Sequence, residues 1–243
     1  MSLLDGVHSA LFVHAHPDDE TLATGALIAE LVDRGVRVSL LTATRGERGE
    51  IVEGSLDHAV DADGLSALRE TELRRAADSL GISERYWLGT APARTPGHPA
   101  VRYRDSGMSW IEPGLAGPAA DVEPGALALA PLEQVVGDVT ALIERLDPDL
   151  IVSYDHGGGY GHPDHVRIHE AVLAASRLTA TPFAEIVSEP GSDVEWFDLD
   201  HRASAVTRAL QQHRTQLTVV DGDVVHSGGQ RHAIPLSMGL RHH

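Results

Sequence analysis

Residues Leu11–Ala15, LFVHA, form a short apolar run that breaks at His16-Pro17-Asp18-Asp19-Glu20, and from Asp19 to Arg34 the residues Leu22, Ala26, Ala29 and Leu31 recur near helical spacing before Gly35. The pattern reads strand, loop, helix. It repeats at once: Val36–Ala43 (VRVSLLTA) is rich in β-branched and aliphatic residues and ends at the turn-prone Thr44–Glu50 (TRGERGE), and Gly64–Leu80 is amphipathic with Gly81 just past its end. Glu84–Leu88 (ERYWL) reads as a third, short strand.

Pro92, Pro96, Pro99, Pro113, Pro118, Pro124 and Pro131 all precede the next helix, so about 89–131 is expected to be a long Pro/Gly-rich loop serving as a lid or substrate wall. Leu132–Leu146 is helical and closed by Asp-Pro-Asp, Leu150–Tyr154 (LIVSY) is an apolar strand running into HGGGYGHPDH, and Val166–Leu178 is helical again. In the tail, Glu195–Leu199, Leu217–Val220 and Val224–His226 look strand-like and Arg202–Arg214 helical, with His242 and His243 expected to form a disordered end. The alternation predicts an α/β fold over 1–243 as one domain, Rossmann-like, with a mostly parallel sheet, helices on both faces and a site at the carboxyl ends of the strands. A Gly-x-Gly-x-x-Gly fingerprint after the first strand is missing, which argues against a dinucleotide.

Composition narrows the chemistry. Of 243 residues, 19 are Lys or Arg and 36 are Asp or Glu, a formal net charge of −17 that repels phosphate backbones and anionic membrane faces. The expected partner is therefore a small molecule, with neither nucleic acid nor membrane. There is no cysteine, so any metal must be held by nitrogen and oxygen. The N-terminal stretch has no basic region and its apolar run is too short for a signal or a span, which predicts a cytoplasmic protein. A single sequence shows no oligomer interface.

Two strand-end motifs carry the functional reading. Ala15–Glu20 (AHPDDE) places one imidazole and the two carboxylates of Asp18 and Asp19 on a turn stiffened by Pro17; His16 and Asp19 offer a nitrogen and an oxygen suited to Zn²⁺ or another first-row ion, leaving Asp18 for proton transfer. Gly159–His165 (GYGHPDH) repeats His-Pro-Asp, and His165 can complete a site of two histidines and one carboxylate. Three protein ligands with an open position is the arrangement of hydrolytic zinc sites. Taken singly, Asp18, Asp19 and Asp164 read better as helix caps than as site residues. Two His-Pro-Asp turns at two strand ends of one sheet favour a site.

These motifs resemble the PIG-L-type (LmbE-like) zinc N-deacetylases. TRGERGE, RETEL at Arg69–Leu73, YRDSGM at Tyr103–Met108, GGYGHPDHV and ALQQHRTQ at Ala209–Gln216 are similar to the bacterial branch that deacetylates N-acetylglucosaminyl-inositol in mycothiol synthesis. The resemblance implies a zinc hydrolase, with Fe²⁺ as an alternative metal, acting on an acetylated amino sugar. It implies His16, Asp19 and His165 as metal ligands and Asp18 as general base. It further implies His162 as oxyanion stabiliser or acid, Asp164 tuning His162 through its side chain, and Tyr160 polarising the scissile carbonyl. Arg69 and Asp105 would meet sugar and inositol hydroxyls. The stretch between Leu178 and Glu195 and the early C-terminus depart from the mycothiol enzymes, so a mycothiol S-conjugate amidase, a deacetylase of another acetylated natural product and a non-catalytic sugar-binding protein stand as rivals.

Without the resemblance, Arg69 beside Glu70 and Glu72 reads as an exposed salt-bridging residue and Asp105 as an Asx turn. Glu47 and Glu50 could face the crevice. Trp110 and Met108 suit either a sugar platform or a loop anchor, and His213 carries little signal.

Overall fold

The computed structural model describes residues 2–243. The strand read from LFVHA is β1, Ser9–His14, and all six of its residues are buried, as a parallel strand covered on both faces requires. It leads through the His-Pro-Asp turn into α1, Asp19–Asp33, followed by β2 (Arg37–Thr42), α2 (Ala62–Leu80) and β3 (Glu84–Trp87). Further along lie β4 (Met108–Glu112), β5 (Leu115–Pro118), α3 (Leu132–Leu146), β6 (Leu150–Tyr154), the four-residue turn α4 (Gly158–Gly161) and α5 (Pro163–Thr179). The chain continues with β7 (Phe183–Val187), β8 (Glu195–Asp198), α6 (Ala203–Leu210), β9 (Leu217–Val220), β10 (Asp223–His226), β11 (Arg231–Ala233) and β12 (Ser237–His242).

Seven strands form the central sheet in the order β3-β2-β1-β6-β7-β12-β8. The first five are parallel, and β12 runs antiparallel between β7 and β8. Alternate β1 side chains serve two cores. Phe12 joins Leu27 and Ile28 of α1, Leu73 of α2 and Val206 of α6, whereas Leu11 and Val13 join Val139 of α3 and Ile168 and Val172 of α5. Helices thus cover both faces. The strand order reverses between β1 and β6, and in open α/β sheets the crevice at the carboxyl ends of such a pair is where ligands bind. Both His-Pro-Asp turns follow those two strands.

The structure revises several expectations. The 89–131 stretch carries the β4–β5 hairpin and a 3₁₀ turn at Leu127–Leu129. The stretch after Leu178 contains β7. His242 belongs to β12 opposite Ala184, and His243 donates its N–H to Phe183 O (3.0 Å) and sets Nε2 2.9 Å from Glu185, so neither histidine is a disordered end. Helix α5 starts at Pro163, three residues before the periodic run, because proline suits the first helical position. Helix α6 stops at Leu210.

Candidate metal centre

At the end of β1 the chain enters the turn with Asp18 at φ 105°, a left-handed conformation that a non-glycine residue keeps only where its surroundings impose it. Its side chain makes no capping hydrogen bond to α1, so the helix-cap reading of Asp18 does not hold. Asp19 turns back instead: Oδ2 accepts from the His16 N–H (2.9 Å) and from the Tyr154 hydroxyl at the end of β6 (2.7 Å). Tyr154 in turn accepts the Ala15 N–H at 2.8 Å, so one phenol ties the two strand ends together.

His16 Nδ1, Asp19 Oδ2 and His165 Nε2 form a nearly equilateral triangle. Its edges are 3.2 Å (His16 to Asp19), 3.3 Å (His16 to His165) and 3.3 Å (His165 to Asp19). Donors about 2.1 Å from a tetrahedral ion stand about 3.4 Å apart, so these atoms suit one divalent first-row cation. Their orientation fits as well. His165 Nδ1 donates to Gly158 O (3.1 Å), which leaves Nε2 with its lone pair in the triangle. Gly158 has φ +63°, and a Cβ there would stand 2.8 Å from that of His165, so only glycine brings its carbonyl to the ring. His16 Nε2 lies 3.2 Å from Asp164 Oδ2, leaving Nδ1 for the metal. This is the carboxylate–histidine arrangement that fixes a ligand's tautomer.

His162 lies beside this triangle, its ring centroid 4.5 Å from that of His16 and 4.9 Å from that of His165. His162 nitrogen also falls in two alternative clusters, one with His16 and His165 and one with His16, Asp105 and Asp164. Its Nδ1, however, accepts the Asp164 N–H at 3.1 Å and so caps α5. That places the proton of the neutral ring on Nε2. The hydrogen bond between Asp164 and His162 thus runs through the Asp164 backbone, and its carboxylate acts on the His162 ring through charge alone. The Asp164 carboxylate goes to His16 and to Ser106, whose N–H (2.9 Å) and hydroxyl both donate to it.

The electrostatics divide these groups. Burial disfavours charge on His16, yet Asp105, Asp164 and Asp19 outweigh it and hold its pKa well above the usual imidazole value. Burial likewise works against the Asp19 carboxylate, but His165 and His16 hold it well below the usual range. For Asp18, burial and the Asp19 charge act together and push it up to about 7, suited to a base near neutral pH. His162 is driven down to about 2 by burial and its two histidine neighbours, so it stays neutral.

The substrate-side residues are distributed unevenly. Arg69 is 2% exposed, which rules out the exposed salt bridge; its guanidinium donates to Gly46 O, to Glu50 O (2.9 Å) and to Gly49 O (3.3 Å), holding the TRGERGE loop. Asp105 is both buried and an Asx turn: Oδ1 accepts the Gly107 N–H at 2.8 Å and stands 3.7 Å from His16 Nε2. Tyr160 is exposed and 5.9 Å, ring to ring, from Trp110 on the β4–β5 hairpin. That hairpin rests on Gly161, where a Cβ would come within 2.7 Å of Ala116 O. Glu47 has a buried carboxylate with no hydrogen-bond partner on either oxygen among the described residues, and Arg104 Nε stands 3.8 Å away.

Tyr154, Ser106, Glu20 and His213 are residues of the site that the sequence alone does not mark as functional. Tyr154 read as the last apolar residue of a strand; a tyrosine adjoining a Gly-rich loop was the signal that could have marked it. Glu20 stood inside the AHPDDE motif. Ser106 and His213 carry no linear signal for contacts that span 58 and 193 residues.

The profile of the PIG-L family, described as GlcNAc-PI de-N-acetylase, matches residues 11–176. Over 177 residues (73% of this chain and 47% of the relative) the chain is 47% identical to a 1D-myo-inositol 2-acetamido-2-deoxy-alpha-D-glucopyranoside deacetylase of Kineococcus radiotolerans. A deacetylase of the same description from Actinosynnema mirum is 36% identical over 260 residues, with 92% and 85% of the two chains covered. The chain spans about half the length of several of the curated relatives it matches. Among solved structures, N,N'-diacetylchitobiose deacetylase from Pyrococcus horikoshii shares the fold with a TM-score of 0.62 at 21% identity, covering 87% of this chain and 71% of that one. The 4-carboxy-2-hydroxymuconate hydratase GalB from Pseudomonas putida shares it at 0.57 and 17%, covering 96% and 95%. At those identities the likeness is one of fold. A profile match over more than half of the residues, running through both His-Pro-Asp turns, makes this chain a member of the PIG-L family.

Proposed function

We propose that the chain hydrolyses the N-acetyl group of an N-acetylglucosamine-containing small molecule, with His16, Asp19 and His165 holding Zn²⁺ or Fe²⁺. The observation that carries this reading is the equal-edged donor triangle whose ring tautomers are set by Asp164 and Gly158 O. A divalent ion held there supplies Lewis acidity for a water and for the amide carbonyl.

The chain's own groups supply the rest. Asp18 takes the proton of the attacking water, its raised pKa matching that task near neutrality. His162 presents Nε2–H, because Nδ1 is committed to the helix, and as a neutral ring can hydrogen-bond to the developing oxyanion, while the proton that Asp18 took from the water passes on to the departing amine. Tyr160, at the mouth, can add a second donor to the carbonyl oxygen. Asp105 and the Glu47 carboxylate, whose oxygens hold no hydrogen bond among the described residues, accept from sugar hydroxyls, and Arg69 shapes that wall through the loop it holds. A net charge of −17 suits a neutral glycoside better than an anionic one. The names of the relatives support an inositol glycoside as first choice.

The test is amine release from N-acetylglucosaminyl-inositol, free N-acetylglucosamine and a mycothiol S-conjugate, with zinc-loaded and chelator-stripped protein side by side. Metal-dependent release from the inositol glycoside is expected. Release from the conjugate alone turns the reading to an amidase, and no release from any of the three rejects it.

A further inference from the structure

The segment Ala209–Gln216 (ALQQHRTQ) lies beyond the span matched by the family profile, and none of its side chains belongs to the donor triangle. After α6 it folds into a tight turn, with the Gln216 N–H on His213 O at 3.0 Å. His213 at its centre is fully buried, and so is its partner Glu20, with Nε2 2.9 Å from Oε1. The other oxygen of Glu20 accepts the backbone N–H of Asp18 at 3.0 Å. A line of two hydrogen bonds therefore runs from the C-terminal turn to Asp18, the non-glycine residue of the site that is held in left-handed geometry.

We propose that His213, acting through Glu20, is a positioning residue for Asp18. The Asp18 side chain makes no bond to the helix it precedes, so Glu20 holds the backbone while leaving the carboxylate free to face the site. A buried ion pair is a weak source of stability once desolvation is counted, and fixing a geometry is a role it performs better. The same turn also steadies the opposite wall. Thr215 donates to Glu72 through its N–H (2.9 Å) and hydroxyl (2.7 Å), and its carbonyl takes the Val52 N–H at 2.9 Å. Arg69 Nε donates to the Thr215 hydroxyl at 3.4 Å. One short turn thus clamps both the Asp18 loop and the loop that Arg69 holds.

This inference rests on Asp18 as the base, so its test has two arms that fail separately. In the first, amide hydrogen exchange at Asp18 is read in the zinc-loaded full chain and in its His213→Ala, His213→Gln and Glu20→Gln variants. Protection is expected to fall at least about tenfold in His213→Ala and to return in His213→Gln, whose amide nitrogen can stand where Nε2 stood. In the second, the same variants are assayed on N-acetylglucosaminyl-inositol with Asp18 intact and as Asp18→Asn. His213→Ala is expected to lower kcat by roughly 10²-fold, the scale of a misplaced group, with KM and zinc affinity changed less than about threefold. With Asp18→Asn the further loss should vanish. Unchanged Asp18 protection in His213→Ala, or an equal loss in both backgrounds, overturns the proposal. Exchange that behaves as expected in a protein releasing no amine leaves the clamp standing and rejects the deacetylase reading instead.

Discussion

Replacing Tyr154 by phenylalanine isolates the orientation of Asp19 from everything else in the site. The phenol is buried at 4% exposure, donates to Asp19 Oδ2 at 2.7 Å and accepts the Ala15 N–H at 2.8 Å. Removing the oxygen leaves one buried amide without an acceptor and strips a charge-assisted bond from a carboxylate. At about 1–3 kcal/mol for each, with some relaxation, the folded state should lose about 3 kcal/mol. For a chain of this size that lowers Tm by roughly 6–12 °C. The metal-specific part is separate. Tyr154 aims the Asp19 oxygen into the donor triangle, and losing such an outer partner reduces metal affinity by about 10–100-fold. Competition against a chromophoric zinc chelator measures the second quantity, and calorimetry of metal-free protein the first. A Tyr154→Phe protein that melts lower yet binds zinc within twofold of the parent would refute Asp19 as a ligand oriented by Tyr154.

Asp18→Asn should keep zinc affinity while lowering turnover by roughly 10²–10⁴-fold, the range of a positioned base, and unaltered turnover in the metal-loaded variant removes Asp18 from that role. Asp164→Asn should weaken zinc binding by about 10–100-fold, because the carboxylate that sets the His16 tautomer is lost; an affinity matching the parent's places the ligand atom elsewhere. Far from the site, Glu30 is gripped by His201 and Arg202 at 2.7 Å and by Arg34. Burial opposes its charge, but these three partners hold its pKa down to about 2. Because the folded value is depressed, this stabilisation is complete above the ordinary glutamate range near 4.5 and is lost as pH falls towards 2. Glu30→Gln should therefore cost roughly 1 kcal/mol at pH 7 and flatten the acid limb of a Tm-versus-pH curve between 5 and 2, which parallel curves for the two proteins would contradict.

The βα units that begin with β1, β2 and β6 are legible because each is a largely buried apolar run followed by a helical period, a pattern set by local burial alone. The strands β7 and β12 are not. Phe183–Val187 centres on Glu185, a buried carboxylate tolerated because His243 lies 2.9 Å and Arg241 3.5 Å from it. In β12, Gly239 would ordinarily argue against a strand, yet a Cβ there would collide with Val194 and crowd Trp196, so glycine is what lets the strand lie in place. The β4–β5 hairpin was hidden by the prolines and glycines around it. At the site, the convergence of His16, Asp19, His162 and His165 is legible because two short linear motifs hold them. The partners that orient them are not: the reach of Asp164 to His16 rather than His162, the Tyr154 bond to Asp19 and the His213 pair with Glu20 all depend on how distant segments pack.

The placement of β12 bears on how the chain reaches this state. It lies between β7 and β8, so β8 joins the sheet only through a strand made about forty residues after it. During synthesis from the N-terminus, the β3-β2-β1-β6-β7 ladder can assemble while β8 has no neighbour to pair with, and the free edge of β7 stays open to any extended segment until Ser237–His242 arrives. Closure of the sheet is thus a late, long-range event, and the two unpaired edges are where association between incompletely folded copies would begin.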